Sequence, residues 1–439
     1  MPTDARNYGP SRMRKHAAAG FALAVGATLL SGCASNEGTP TLTWYINPDD
    51  GGQAELASRC TDASGGAYTI ETSLLPNDAA SQREQLARRL AAGDKTMDIM
   101  SLDPPNVPEY AEPGYLAPVP DDVAERTTQN VVEGALAGAQ WKDKVVAVPF
   151  WANTQILWYR KSVAEAAGLD MSQPVTWEQI MQAAAAEGKF LGVQGARAES
   201  MTVWVNALIE SAGGQIVENP DASADELQLG IDTDAGKAAA EIVSTIGQEG
   251  LGGPGLPTQT ENTSMVQFQG DQGSFMVNYP FVWPATNAAV EAGTLPQSLV
   301  DDIGWALYPQ VNAGEDTAPP LGGINLGVGS KSEHTDLAYQ AIECIVSPEN
   351  QAYYFATNGN PPSNTEAYND PEAVSTFPMA ETIRESLQLS KPRPQTPYYN
   401  EISTGIQQTW TPPSDVNPDT TPATSQQFIV EVLRGEKLL

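Results

Sequence analysis

The sequence predicts an α/β fold built on a mainly parallel sheet, and three observations point to it. From residue 41 onward, short apolar runs rich in β-branched and aromatic residues alternate with segments of helical period. Turn-forming residues such as Asn47, Pro48, Asn77 and Asp78 follow directly after those runs. With 439 residues, 41% of them hydrophobic, the chain is long enough for two domains with full cores. Strands that alternate with helices imply a sheet covered on both faces.

The first 40 residues stand apart from that pattern. Arg12, Arg14 and Lys15 form a basic region ahead of an apolar run over residues 21–30. That run is too short to span a bilayer, and Leu30-Ser31-Gly32-Cys33 sets a cysteine directly after small residues. Residues 1–32 are therefore expected to be a lipoprotein signal peptide, with Cys33 becoming the lipidated N-terminus. An ordinary secretory signal whose cysteine is coincidental is the alternative. Residues 33–40, with Ser, Asn, Gly, Thr and Pro, read as a flexible tether. The expected location is the outer face of the cell membrane.

Residues 42–46 read as a strand closed by the turn-forming run 47–52, and residues 53–60 as a helix. Residues 68–75 form the second expected strand. Pro76-Asn77-Asp78 opens a helix through Leu90 that stops at Gly93, and residues 97–102 form the third strand. Further strands are expected at 144–150, 155–159, 265–269, 273–278, 303–308 and 324–328. Helices are expected at 177–186, 200–212, 235–246, 336–346, 399–409 and 425–433. Residues 248–257 are Gly/Pro-rich and expected to be exposed, and residues 358–369 and 391–399 to be loops. In parallel sheets ligands bind outside the carboxyl ends of strands, where Asn47, Asp49, Asp50, Asn77 and Asp103 fall. Each serves either as a ligand contact or as an Asx turn or helix cap.

The formal charge is −31; residues 1–32 hold four basic residues and one acid, so the remainder carries about −34. Such a surface repels nucleic acid and anionic lipid. Cys60 and Cys344 are the cysteines left after Cys33, and in an oxidising compartment they pair in a disulfide or stay as two buried thiols. No Cys/His cluster suggests a metal, and no cofactor is expected. Beyond the signal His334 is the only histidine, which leaves no His-based triad or HExxH site, and no GxSxG or P-loop occurs.

The run Gly273-Ser274-Phe275-Met276-Val277-Asn278-Tyr279-Pro280-Phe281-Val282-Trp283 resembles the strand-to-aromatic-turn motif of carbohydrate-binding lipoproteins of ABC importers. Val148-Pro149-Phe150-Trp151-Ala152-Asn153-Thr154-Gln155 looks like the first crossover segment of that family. Leu90-Ala91-Ala92-Gly93 with residues 97–103, and Leu321-Gly322-Gly323-Ile324-Asn325-Leu326, match two more of its blocks. Within the family the chain looks most similar to the trehalose-binding lipoproteins of mycobacteria. The resemblance implies two α/β lobes of the type II periplasmic-binding kind, joined by crossings near Asn153, near Tyr308 and around 355–360. Lobe 1 would be 41–152 with 309–357, and lobe 2 153–308 with 358–439. It also implies a disaccharide in the cleft, trehalose first, a permease partner in the membrane, and a monomer. By motif match the sugar contacts fall on Asp103, Asn153, Glu261, Tyr279, Gly323, Leu326 and Arg393. Relatives often carry Trp where Tyr279 sits, which preserves an aromatic face.

The residue chemistry agrees. A sugar has an apolar C–H face and a rim of hydroxyls, so its pocket needs flat aromatics and planar hydrogen-bonding groups. Tyr279, Trp283, Trp151, Asp103, Asn153, Glu261 and Arg393 supply that set. Trp158 and Tyr159 sit in an apolar strand and are expected in the core. Pro392 and Pro394 fix the backbone on both sides of Arg393. The competing class is a cell-envelope glycoside hydrolase with Asp103 and Glu261 as paired carboxylates, although nothing in the sequence marks either as a raised-pKa acid.

Overall fold

A computed structural model describes residues 38–49 and 51–439, so Cys33, the signal segment and Asp50 lie outside the described residues. The compact body is Thr39–Leu439. Among the described residues twelve strands run in chain order: β1 (Thr41–Ile46), β2 (Thr69–Leu74), β3 (Ile99–Leu102), β4 (Gln140–Trp141), β5 (Lys144–Val145), β6 (Val148–Thr154), β7 (Ile156–Arg160), β8 (Phe190–Gly192), β9 (Gly273–Asn278), β10 (Ile303–Ala306), β11 (Pro320–Gly327) and β12 (Lys391–Pro392).

They form two main sheets and the small β4–β5 hairpin. In the first sheet β2, β1 and β3 are parallel, as strand–helix alternation requires, and β11 joins β3 antiparallel. β6 lines the other edge of β11. The second sheet has the order β10-β7-β9-β8. β6 runs through Gln155 straight into β7, so the chain passes from one sheet to the other there. Residues 307–319 make the return passage from β10 to β11.

Each sheet has its own core. Leu42, Trp44, Leu56, Phe150, Leu326 and Tyr354 pack around the first. Trp177, Trp204, Ile242, Phe275 and Trp410 pack around the second. A third cluster joins Ala152, Ile156 and Trp158 to Met276, Phe355, Phe377 and Ile383. Helix Ala380–Leu389 contributes to it and lies against both β6 and β7. Its Ser386 hydroxyl donates to the Gln155 carbonyl at 3.2 Å, tying the helix to the passage between sheets.

Several local expectations differ from the structure; residues 144–150, expected as one strand, divide between β5 and β6, and residues 391–392, expected in a loop, form β12. Residues 265–269 belong to helix Glu261–Gln269, because Thr260 and Thr263 form a reciprocal cap that starts a helix. The 248–257 loop is only partly exposed, since Leu251 and Leu256 are buried in the second core. Within residues 358–439, expected together in the second lobe, β12 pairs with β11 of the first sheet. Helices Tyr399–Thr409 and Thr421–Leu433 do pack on the second core. Trp158 is fully buried and donates its indole N–H to the Asn278 carbonyl at 3.0 Å, as a core residue should.

Cys60 and Cys344 are joined in a disulfide, with Cα atoms 5.8 Å apart. It links helix Gly52–Ala63 to helix Thr335–Ile345, both on the first core.

Candidate functional site

The site is built by one edge of β11. β3 runs antiparallel to β11 and pairs Leu102 with Asn325, while β12 runs parallel to it and pairs Pro392 with Leu321. The two strands therefore run toward each other along the same edge, and their carboxyl ends meet opposite residues 322–324. Asp103 follows β3 and Arg393 follows β12, which brings residues 290 apart in sequence head to head. Gly323 sits in this gap with φ +115°, and a Cβ there would lie 2.2 Å from the Trp151 carbonyl oxygen on β6. Only glycine fits that close approach.

Arg393 Nη2 donates to Asp103 Oδ1 at 2.5 Å, and Nη1 donates to Oδ2 at 3.2 Å. Nη1 also donates to Glu199 Oε1 at 2.8 Å. Glu199 opens helix Glu199–Ser211 of the second core, and it accepts from the Tyr399 and Ser403 hydroxyls, the latter at 2.6 Å. The Arg393 side chain is 7% exposed. Burial, the largest single influence, would lower its pKa, but Asp103, Tyr399, Glu199 and Tyr279 together outweigh it and hold it well above the ordinary guanidinium value. Burial pushes the Asp103 carboxyl up, and Arg393 opposes the shift.

Across the passage between sheets, Asn153 on β6 pairs with Gly322 of β11. β9 ends at Asn278 opposite Ile156, so Tyr279 emerges at the same level. The Tyr279 ring lies 3.9 Å from where a Gly322 Cβ would stand. Its hydroxyl pKa is raised by burial, and Arg393, Glu261, Asp103 and Glu199 all act on it, which places the five groups within electrostatic reach. Asn278 is fully buried and organises this end: its Nδ2 donates to the Glu261 carbonyl at 2.8 Å and its Oδ1 accepts from the Tyr279 amide at 2.8 Å. Burial pushes the Glu261 carboxyl up, Glu199 adds to the shift and Arg393 opposes it.

A cavity of about 220 Å³ adjoins Asp103 and Glu199 and is lined also by Asp78, Arg83, Arg197, Tyr399, Ser403 and Gln407. The structure thus brings Asp103, Asn153, Glu261, Tyr279, Gly323 and Arg393 together. Asn47, Asn77, Trp151 and Trp283 make no side-chain hydrogen bond to that group. Asn47 is half-buried with its side-chain oxygen unpartnered, and Asn77 is exposed beside Asp78, the cap of helix Ala79–Ala91. Asp49 accepts from the Gly51 and Gln53 amides and the Tyr354 hydroxyl, which is a turn-and-cap role. Trp151 packs against the first core, and Trp283 sits edge-on to Trp305 at 5.6 Å. Leu326 needs correction as a side-chain contact: it is fully buried in the first core, because alternation along β11 turns it inward.

Sequence reasoning missed Glu199, Tyr399, Ser403 and Asn278. One signal was available for Glu199. It is the single charge at the head of a helix whose next ten residues are nearly all apolar or small, and a helix buried so completely must bring its first turn to an interior site.

Chemically the array offers carboxylates, an amide and a fixed guanidinium around one aromatic face, which suits a neutral polyhydroxylated ligand. Both candidate hydrolytic carboxylates are pushed up by burial, a feature that the sequence did not reveal. Asp103, however, has both oxygens on Arg393, so it is not placed as a proton donor. Among the described residues no group of three or more His, Cys, Asp or Glu is placed to hold a metal ion.

A mannitol-binding protein of Pseudomonas aeruginosa is 25% identical over 150 residues, and that match spans 34% of this chain and 34% of the relative's length. Maltose-bound MalE3 of T. maritima superposes with a TM-score of 0.75 at 23% identity, over 90% of this chain and 100% of that one. A solute-binding protein of Thermotoga lettingae bound to α-D-tagatose gives a TM-score of 0.73 at 20% identity, over 90% and 100%. The likenesses to the two solved structures show a two-lobed α/β fold. Residues 55–381 match the profile of the bacterial extracellular solute-binding proteins, and with well over half the chain inside that match, the protein belongs to this family and is a binder of solutes, not an enzyme.

Proposed function

We propose that the chain is the substrate-binding lipoprotein of an ABC importer, capturing a disaccharide, trehalose first, and delivering it to a membrane permease. The observation that carries this is the convergence of Asp103, Arg393, Asn153, Glu261 and Tyr279 where the chain passes between the two sheets. Planar paired donors and acceptors beside one aromatic face match the hydroxyl rim and C–H face of a sugar ring. Similarity to maltose-bound, tagatose-bound and mannitol-binding proteins supports a polyol or sugar as the ligand class. Two lobes, 41–152 with 309–357 and β12, and 153–308 with helices Tyr399–Thr409 and Thr421–Leu433, would close over the ligand as a monomer. Cys33 would carry the lipid that holds the chain at the outer face of the membrane.

A thermal-shift screen against trehalose, maltose, glucose and mannitol tests the proposal. A ligand that binds only the folded chain raises Tm by mass action, by about 2.7 kcal/mol of stability at a hundredfold excess over Kd. Trehalose is expected to give the largest shift, with no glucose released on long incubation. No shift with any of the four would overturn the sugar assignment.

A further inference from the structure

We propose that Glu199 is the positioning residue of this site, setting the direction in which Arg393 presents its remaining N–H groups to the ligand; the inference rests on the sugar-binding function proposed above. The backbone around Arg393 is already fixed. β12 pairs with β11 just before it, Asn206 Nδ2 donates to the Pro392 carbonyl at 3.3 Å, and Gln395 Nε2 donates to the Arg393 carbonyl at 2.9 Å. What the backbone cannot fix is the plane of the guanidinium at the end of a long side chain.

Two carboxylates set that plane, and they differ in kind. Asp103 grips Nη1 and Nη2 from the end of β3, on the first sheet. Glu199 takes the second hydrogen of Nη1 from a helix of the second core. Three of the five guanidinium N–H groups are therefore used, and those left on Nε and Nη2 have no protein acceptor among the described residues. A guanidinium buried this deeply and still holding two unmatched donors is poised for ligand oxygens.

Glu199 has the opposite profile. Its carboxylate already accepts from Arg393, Tyr399 and Ser403, which fills about three of its four acceptor directions. It has little capacity left for a sugar and acts through Arg393. Without it, Asp103 alone would hold the cation, and the guanidinium could turn about the Asp103 contact, scattering its unmatched N–H groups. Because one carboxylate comes from the end of β3 in the first sheet and the other from a helix of the second core, Arg393 is aligned only when both elements are in place.

Titration of the full exported chain with trehalose and with maltose tests this, using wild type, Glu199→Ala, Glu199→Gln, Arg393→Lys and the double variant Glu199→Ala/Arg393→Lys. Glu199→Ala is expected to lose roughly 10- to 100-fold in affinity, the loss of one charge-assisted contact, and Glu199→Gln, which keeps an acceptor for Nη1, only a few-fold. In the Arg393→Lys background the Ala substitution is expected to add under about threefold, because the group it directs is gone. In the ligand-free chain, slowed exchange of the Arg393 guanidinium protons by NMR is expected in wild type and Glu199→Gln and lost in Glu199→Ala. Wild-type affinity in Glu199→Ala, or fully additive losses in the double variant, would overturn the positioning role while leaving sugar binding intact. If neither sugar binds wild type, the sugar assignment fails and this role falls with it. Should Glu199→Ala not fold, an affinity for Glu199→Gln as low as for Arg393→Lys would overturn it.

Discussion

Glu210 shows how a single carboxyl group reports its surroundings. It lies near the end of helix Glu199–Ser211, and burial pushes its pKa from an ordinary 4.5 to about 7, with Lys391 pulling the other way. A raised pKa means that the folded chain holds the proton more tightly than the unfolded chain. Its contribution is therefore fully present below about 4.5 and is lost as pH rises through about 7, to a limit of roughly 3 kcal/mol. Glu210→Gln is expected to raise Tm at pH 8 and to leave it unchanged at pH 4. An equal gain at both pH values would show that ionisation is not the cause. Nothing in the sequence marked this residue, since Glu210 in Ile209-Glu210-Ser211 looks like any helix-surface acid; only the packing around it removes water.

At the scale of elements, β9 and helix Glu261–Gln269 depend on one side chain. Asn278 bonds the Glu261 carbonyl, the Ser264 hydroxyl and the Tyr279 amide, so a single buried amide sets two candidate ligand residues at once. Asn278→Ala is expected to cost about 1–3 kcal/mol in urea unfolding, because it strands buried polar groups, and to weaken sugar binding as well. Lost affinity without lost stability would mean that Asn278 touches the ligand directly. The sequence pattern located β9 at its observed bounds and helix Trp177–Ala186 likewise. It assigned 265–269 to a strand because Met265, Val266 and Phe268 look strand-like locally, whereas the structure decides by the cap at Thr260. Helix Ala380–Leu389 was not anticipated, since its apolar face meets β6 and β7, which are distant in sequence.

For the whole molecule, the Cys60–Cys344 bond closes a 284-residue separation and ties the first helix to the one after β11. Replacing both cysteines by serine is expected to cost roughly 2–5 kcal/mol in chemical unfolding while leaving sugar affinity unchanged, because the bond lies in the first core, apart from Arg393. Recovery of both thiols freely alkylated from the native exported protein would contradict the bond. If the lobes close on the ligand, the passage at Gln155 and the return at 307–319, which join the two sheets, are where the hinge is expected. Small-angle scattering should show a smaller radius of gyration with saturating trehalose. An unchanged profile at proven saturation would mean that the site is already closed.

The sequence by itself determined the α/β class, the order of most elements, and the residue types that could hold a sugar. Those properties follow from periodicity, turn chemistry and composition, which act over a few neighbouring residues. It also singled out Asp103, Asn153, Tyr279 and Arg393, through motifs that are local runs. The tertiary structure alone decided that Asp103 and Arg393 grip each other, because this depends on β3 and β12 converging on one edge of β11. It alone brought Glu199 to the same guanidinium, and it turned Leu326 inward. Partnership across 290 residues is a matter of strand direction and register, and no local pattern encodes which strands will meet.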